Sequence, residues 1–241
     1  MRAMGALVSV TLRGLLGRRR MVLMLLLAGL PVLVGVLIRF AGGSRDTAEI
    51  LDALGVRTVL PLVALIIGTA AIGSEIEDGT VVFLLVKPIA RWRIALAKVA
   101  VAAALTALLV VPPIVLTGVL VAGAGGESLG TAFGFALAAI AGGTAYACAF
   151  TALGALTSRA LIVGLAYTLL WEGVLAGLLE GTRFLSIRQA TLGLAAAWTG
   201  QDTGDAALDP ITAALVTAVV IVGAFGLTAL ALARFQIQSA D

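Results

Sequence analysis

Residues 73–98 read GSEIEDGTVVFLLVKPIARWRIALAK, a charged segment broken by glycine and proline and set between two apolar runs. The chain around it is 61% hydrophobic and only 12% charged, with a mean hydropathy of +1.14. At 241 residues it has too little polar surface to cover itself in water, so the bilayer is its solvent. A hydrocarbon core about 30 Å thick takes roughly 20 apolar residues per crossing helix. Outward from the charged segment, six runs meet that length: residues 21–40, 53–73, 99–122, 131–156, 160–179 and 211–233. The second contains Arg57 near its start, which has to snorkel to the interface. The expected fold is all-α, a polytopic membrane protein of six transmembrane helices forming one domain over residues 1–241.

Lys and Arg in short loops stay on the cytoplasmic side. With both termini placed inside, eleven of the sixteen Lys and Arg fall in inner segments, so the net charge of +3 is a topology signal and implies no nucleic-acid partner. The basic stretch before residue 21 is too long for a signal peptide and no small-x-small cleavage site follows, so the first run is read as a retained span. The chain has no histidine and one cysteine, Cys148, inside the fourth run. That excludes an internal disulfide and a thiolate metal cluster, and argues against Ser-His or zinc hydrolysis; no metal, cofactor or catalytic residue is expected. The expected location is the plasma membrane.

At 100° per residue Arg2, Ser9, Arg13 and Arg20 fall within about 40° of one another, opposite Met4, Leu7, Val8 and Leu15. Residues 1–20 therefore read as an interfacial amphipathic helix with its basic face toward anionic headgroups. In the loop at 74–98, Ser74 and Glu77 have the spacing of a capping box. Gly79 permits a turn, and Thr80 can cap a short second helix through residues 81–86. Six apolar residues are too few to span and too many to leave in water uncovered. Lys87, Arg91, Trp92, Arg93 and Lys98 form a basic and aromatic anchor at headgroup level.

Within the spans, Glu172 lies about midway along the fifth run, where an ionisable group is costly and marks a functional hypothesis. It could bind a cationic group of a transported molecule or tie the fifth span to its neighbours. Gly173, Gly177 and Gly181 recur at four-residue spacing, which allows close helix approach. Pro112 and Pro113 remove backbone donors in the third run and are expected to kink it. Residues 180–210 are too polar to span, yet apolar over 190–198; they read as an interfacial or re-entrant helical piece at the outer mouth.

The acid pair followed by Gly79 and Thr80, the aliphatic run, Lys87, Pro88, Arg91, Arg93 and Lys98 resembles the signature loop of the ABC-2 type permeases. These are the membrane subunits of ATP-binding-cassette exporters. The resemblance extends to the N-terminal elbow helix, the six spans and the long outer segment. Trp171 and Glu172, with the run from Phe184 to Arg188, also resemble the fifth span and outer region of bacterial permease-only members. It implies that Glu75, Glu77, Asp78, Gly79 and Thr80 couple the chain to a separate ATPase subunit, that Arg91 and Lys98 hold that loop at the membrane, and that Ser186 and Arg188 belong to the outer segment. It further implies a second copy of the permease, a substrate path between the two, and export. The chain has no G-x-x-x-x-G-K-[ST] sequence, so ATP and its magnesium would belong to the partner. The rival readings are a secondary transporter or channel, which would be expected to carry internal repeats and several intramembrane polar groups, and a non-transporting scaffold or sensor subunit.

Overall fold

The computed structural model describes residues 11–12, 14–15, 17–41, 46–77, 90–122, 126–175, 180–200 and 208–234. Among these the chain is nearly all helical, with no strand. Helix α1 is Arg18–Phe40. Helix α2 is one rod built of Thr47–Ile50, a π-helical stretch Leu51–Val59, and Leu60–Glu77. Helix α3 is Arg91–Ala122 and α4 is Gly126–Leu156. Helix α5 joins Ala160–Ala166 to a π-helical Tyr167–Leu175. After a 3-10 turn at Glu180–Leu185 come α6, Ile187–Thr199, and α7, Pro210–Arg234. Helices α1, α2, α3, α4 and α7 are long and apolar enough to cross a membrane, and Ala160–Leu175 is a shorter apolar helix. Each of the six apolar runs lies on one of these, except that residues 176–179 fall outside the described residues.

Local chemistry sets the helix ends. Asp209 caps α7, accepting from the Thr212 N–H at 3.1 Å, with Pro210 as the first helical residue, where its missing N–H costs nothing. Hydrogen bonds from Thr212 hold the exposed Asp209 carboxyl below the usual carboxylate range. The cap's contribution is thus present above that range and is lost as pH falls through the lowered value. Asp46 caps α2 in the same way through Ala48 N–H at 2.9 Å.

Two expectations are corrected here. Gly17 adopts an extended conformation (φ −55°, ψ 130°), so Arg18–Arg20 open α1 and do not continue an N-terminal helix through residue 20. Residues 1–10, 13 and 16 of that elbow lie outside the described residues. Ser74 starts no helix: α2 runs unbroken to Glu77, and the Ser74 hydroxyl donates to the Ala70 carbonyl at 2.7 Å. No residue between Gly73 and Glu77 breaks a helix, so the span projects past its apolar run. Pro112 and Pro113 sit within an unbroken α3.

Helix α4 is the hub, packed against α2, α3, α6 and α7, while α1 lies on α3 and α5 on α2 and α4. Burial agrees: about two thirds of α4's apolar stretch is buried (67%), against 22% for α1 and 28% for α7. Lipid tails are as apolar as Leu, so such packing depends on close backbone approach over small residues. A Cβ on Gly118 of α3 would meet Ala132 at 2.5 Å, and one on Gly154 of α4 would meet the Thr69 carbonyl of α2 at 2.8 Å. Along α4, Gly134 lies against Thr199 and Gly142 against Thr191, with buried Ala138 between them. This stripe at four-residue spacing seats α6, whose residues from Ile187 to Ala195 are all buried. Residues 180–200 therefore include a helix packed within the bundle.

Gly142→Ala would place a methyl 2.0 Å from Thr191 Oγ1. The expected cost is about 1–3 kcal/mol of overpacking, read as a lower thermal unfolding midpoint in detergent. Gly223→Ala, with nothing within 4 Å of the added carbon, should leave the midpoint within experimental scatter.

Candidate functional site

Two buried polar constellations stand at opposite depths of the bundle. The first joins the end of α2 to the start of α3. Glu75 is in the last turn of α2, and Lys98 lies seven residues into α3, about 10 Å along its axis. Lys98 Nζ donates to Glu75 Oε1, and the lysine side chain is 2% exposed against 18% for the glutamate. Ile94, Ala95, Val101 and Ala102, three and four residues away on α3, are buried too, so Lys98 lies on the buried stripe of its helix. A small apolar cluster at the same end joins Ile72, Ile94, Ala155 and Leu232 from four helices. The structure thus gives Lys98 surroundings unlike those of a headgroup anchor. Trp92 and Arg93 do sit exposed at the start of α3, the Arg93 guanidinium 5.2 Å from the Trp92 ring centre, and Arg91 is half-buried. Glu77 ends α2. Asp78, Gly79, Thr80 and Lys87 lie outside the described residues. The helices leave a shorter connection, residues 78–90, than the 74–98 loop expected.

The second constellation gathers around Glu172, 3% exposed, on α5. Its Oε1 accepts from Tyr167 Oη at 2.8 Å and from the Ile187 N–H at 2.9 Å. Its Oε2 accepts from Ser186 Oγ at 2.5 Å and from the Arg188 N–H at 3.3 Å. Four donors fill the acceptor sites of an ionised carboxylate. Two of them are the first backbone N–H groups of α6, so Glu172 caps another helix from outside it and places negative charge at that helix's positive end. Ser186 Oγ completes the cap by accepting from Gln189 N–H at 3.1 Å. Arg188, 5% exposed, donates from Nη1 to the Glu172 backbone carbonyl at 3.0 Å. The Tyr146 ring stacks on Phe150 at 5.7 Å, and Phe150 meets Tyr167 edge-on at 6.4 Å, an aromatic ladder from α4 to the carboxylate.

The π-helical winding of Tyr167–Leu175 creates part of this site. Five residues apart on an α-helix lie about 140° around the axis; the wider turn brings Tyr167 and Glu172 together. The same winding in α2 pairs Arg57 with Asp52 at 3.0 Å, which answers the snorkelling demand on Arg57. Gly173 is exposed and, among the described residues, a Cβ there would meet only the Thr168 carbonyl of its own helix, and Gly177 lies outside the described residues. The residues not foreseen are Tyr146, Tyr167, Gln189 and the Gly134, Ala138, Gly142 stripe. The stripe was open to a search for small residues at four-residue spacing. Among the described residues there is no cluster of acids, Cys or His able to hold a metal.

Two measurements check this geometry. Glu75→Gln leaves Lys98 buried without its carboxylate and should cost about 3–5 kcal/mol, whereas Glu75→Leu with Lys98→Met should restore most of it. Thermal unfolding of the two singles and the double in detergent gives the coupling. Glu172→Ala should speed amide hydrogen exchange at Ile187 and Arg188, with a stability loss of about 1–3 kcal/mol.

No curated protein matches the chain. A family model described as "ABC-2 family transporter protein" matches residues 43–162, which hold α2, α3, α4 and the Glu75–Lys98 pair. With its set of membrane-length helices, the chain belongs to the ABC-2 family and is a multi-pass membrane protein of the ABC transporter permease kind.

Proposed function

We propose that the chain is the membrane subunit of an ATP-driven exporter. In this reading it pairs with a second copy to line the substrate path and is moved by a separate ATPase that grips the inner connection at residues 78–90. The observation that carries the proposal is the ion pair across the neck of that connection. A force applied there reaches α2 and α3 together, because Lys98 and Glu75 tie the two helix ends inside the bundle. Through α2 and α3 it reaches α4, against which both pack, and through α4 the buried helix α6 on the outer side. Glu75 is then the internal half of a clamp, and Glu77, Asp78 and Thr80 are the groups left to meet the partner. Glu172 acts as a structural cap for α6 in this scheme, since its carboxylate oxygens are already taken by donors within the chain.

The test is co-expression with a P-loop ATPase of the ATP-binding-cassette type from the same genome, followed by co-purification and ATPase turnover in proteoliposomes. Glu77→Ala with Asp78→Ala, which leaves the Glu75–Lys98 pair intact, should reduce both readouts about tenfold or more, the scale of a lost interfacial charge contact. Unchanged association and turnover would remove the coupling role from this connection.

A further inference from the structure

A cavity of about 280 Å³ opens where the start of α1, the inner end of α2 and the start of α5 meet. Its polar wall includes Arg20, Arg159, Ser74 and Ser158. Neither arginine has an ion-pair partner among the described residues, and none of the described residues lining the cavity is acidic. Arg159 stands at the N-cap of α5 without a side-chain cap bond. The opposite wall is apolar and includes Leu161 and Ile162, which are 53% and 65% exposed on the outside of the bundle. Two uncompensated guanidiniums call for an anion, and hydroxyls beside them suit phosphate oxygens. An apolar wall continuous with the lipid-facing surface calls for a ligand that also carries hydrocarbon. Three spans end at this cavity, which puts it at headgroup level on the side read as cytoplasmic from the distribution of Lys and Arg.

We propose that this cavity binds the phosphate of an anionic phospholipid of the inner leaflet, held between Arg20 and Arg159, with its acyl chains along Leu161 and Ile162. A free phosphate would use the arginines and leave the apolar wall without a role. The lipid bridges α1, α2 and α5 at one point, and α5 is otherwise a lightly packed helix of the bundle.

The full chain, purified in neutral detergent and stripped of lipid, is titrated with phosphatidylglycerol, phosphatidylcholine or inorganic phosphate and followed by native mass spectrometry and thermal unfolding. Phosphatidylglycerol should bind and raise the unfolding midpoint, with the other two well behind. Arg20→Gln and Arg159→Gln should each weaken it about fivefold and the double variant about thirtyfold, as expected for a juxtamembrane arginine near an anionic headgroup. Both side chains are exposed, so the lipid-free variants should unfold where the parent does. Equal binding of phosphatidylcholine, or parent affinity in the double variant, overturns the proposal. Protection by inorganic phosphate alone assigns the cavity to a free anion and overturns it as well. If the double variant fails to fold, Arg20→Lys with Arg159→Lys decides. Retained preference for phosphatidylglycerol supports the site, and its loss overturns it.

Discussion

A helix that begins inside a bilayer presents backbone N–H groups where no water reaches them, and each one left unpaired is costly. In this protein the cost is met by one carboxylate. Glu172 on α5 accepts from the first N–H groups of α6, and Ser186 covers the next. The Ile187 and Arg188 N–H groups at the buried start of α6 depend on that external cap. Helix α6 in turn fills the space between α4 and α7. The carboxylate is itself acceptable at that depth because it meets four donors, with the Arg188 guanidinium bonded to its own residue's carbonyl. Charge, cap and helix make one unit, and removing any member strands the others.

The hub of the bundle follows the same economy of polar groups. Hydrocarbon gives no hydrophobic drive between helices, so α4 gathers its neighbours by surface shape. Gly134, Ala138 and Gly142 admit α6, Ala132 meets Gly118 of α3, and Gly154 admits the backbone of α2. The helices with large exposed side chains, α1, α5 and α7, stand at the rim, where Leu26, Leu170 and Val222 face the lipid. At the end of α2 and the start of α3 the bundle is fastened by an ion pair in place of a helix cap. Lys98 and Glu75 join two helices that the chain separates by the connection at residues 78–90.

Much of this architecture was legible beforehand. Run lengths located the helices. Glu172 stands out because an acid in an apolar run is rare, and the apolar stretch at 190–198 marks a helical piece. Ser74 and Gly17 were misread for a common reason: a capping pattern or an amphipathic periodicity describes what a segment can do locally, and the neighbouring span decided otherwise. The basic loop suggests an anchor role for Lys98, but its place on the stripe of Ile94 and Ala102 turns it inward.

Composition and run length alone determined that the chain lives in a membrane and which segments form its apolar helices. Those properties depend on the chain's exchange with solvent, which each residue contributes singly. The pairing of Lys98 with Glu75, the meeting of Glu172 with the start of α6, and the joining of Arg20 to Arg159 around one cavity belong to the tertiary structure. Each links residues on different helices, and the π-helical turns of α2 and α5 shift the facing of side chains by an amount that a regular 100° period does not contain.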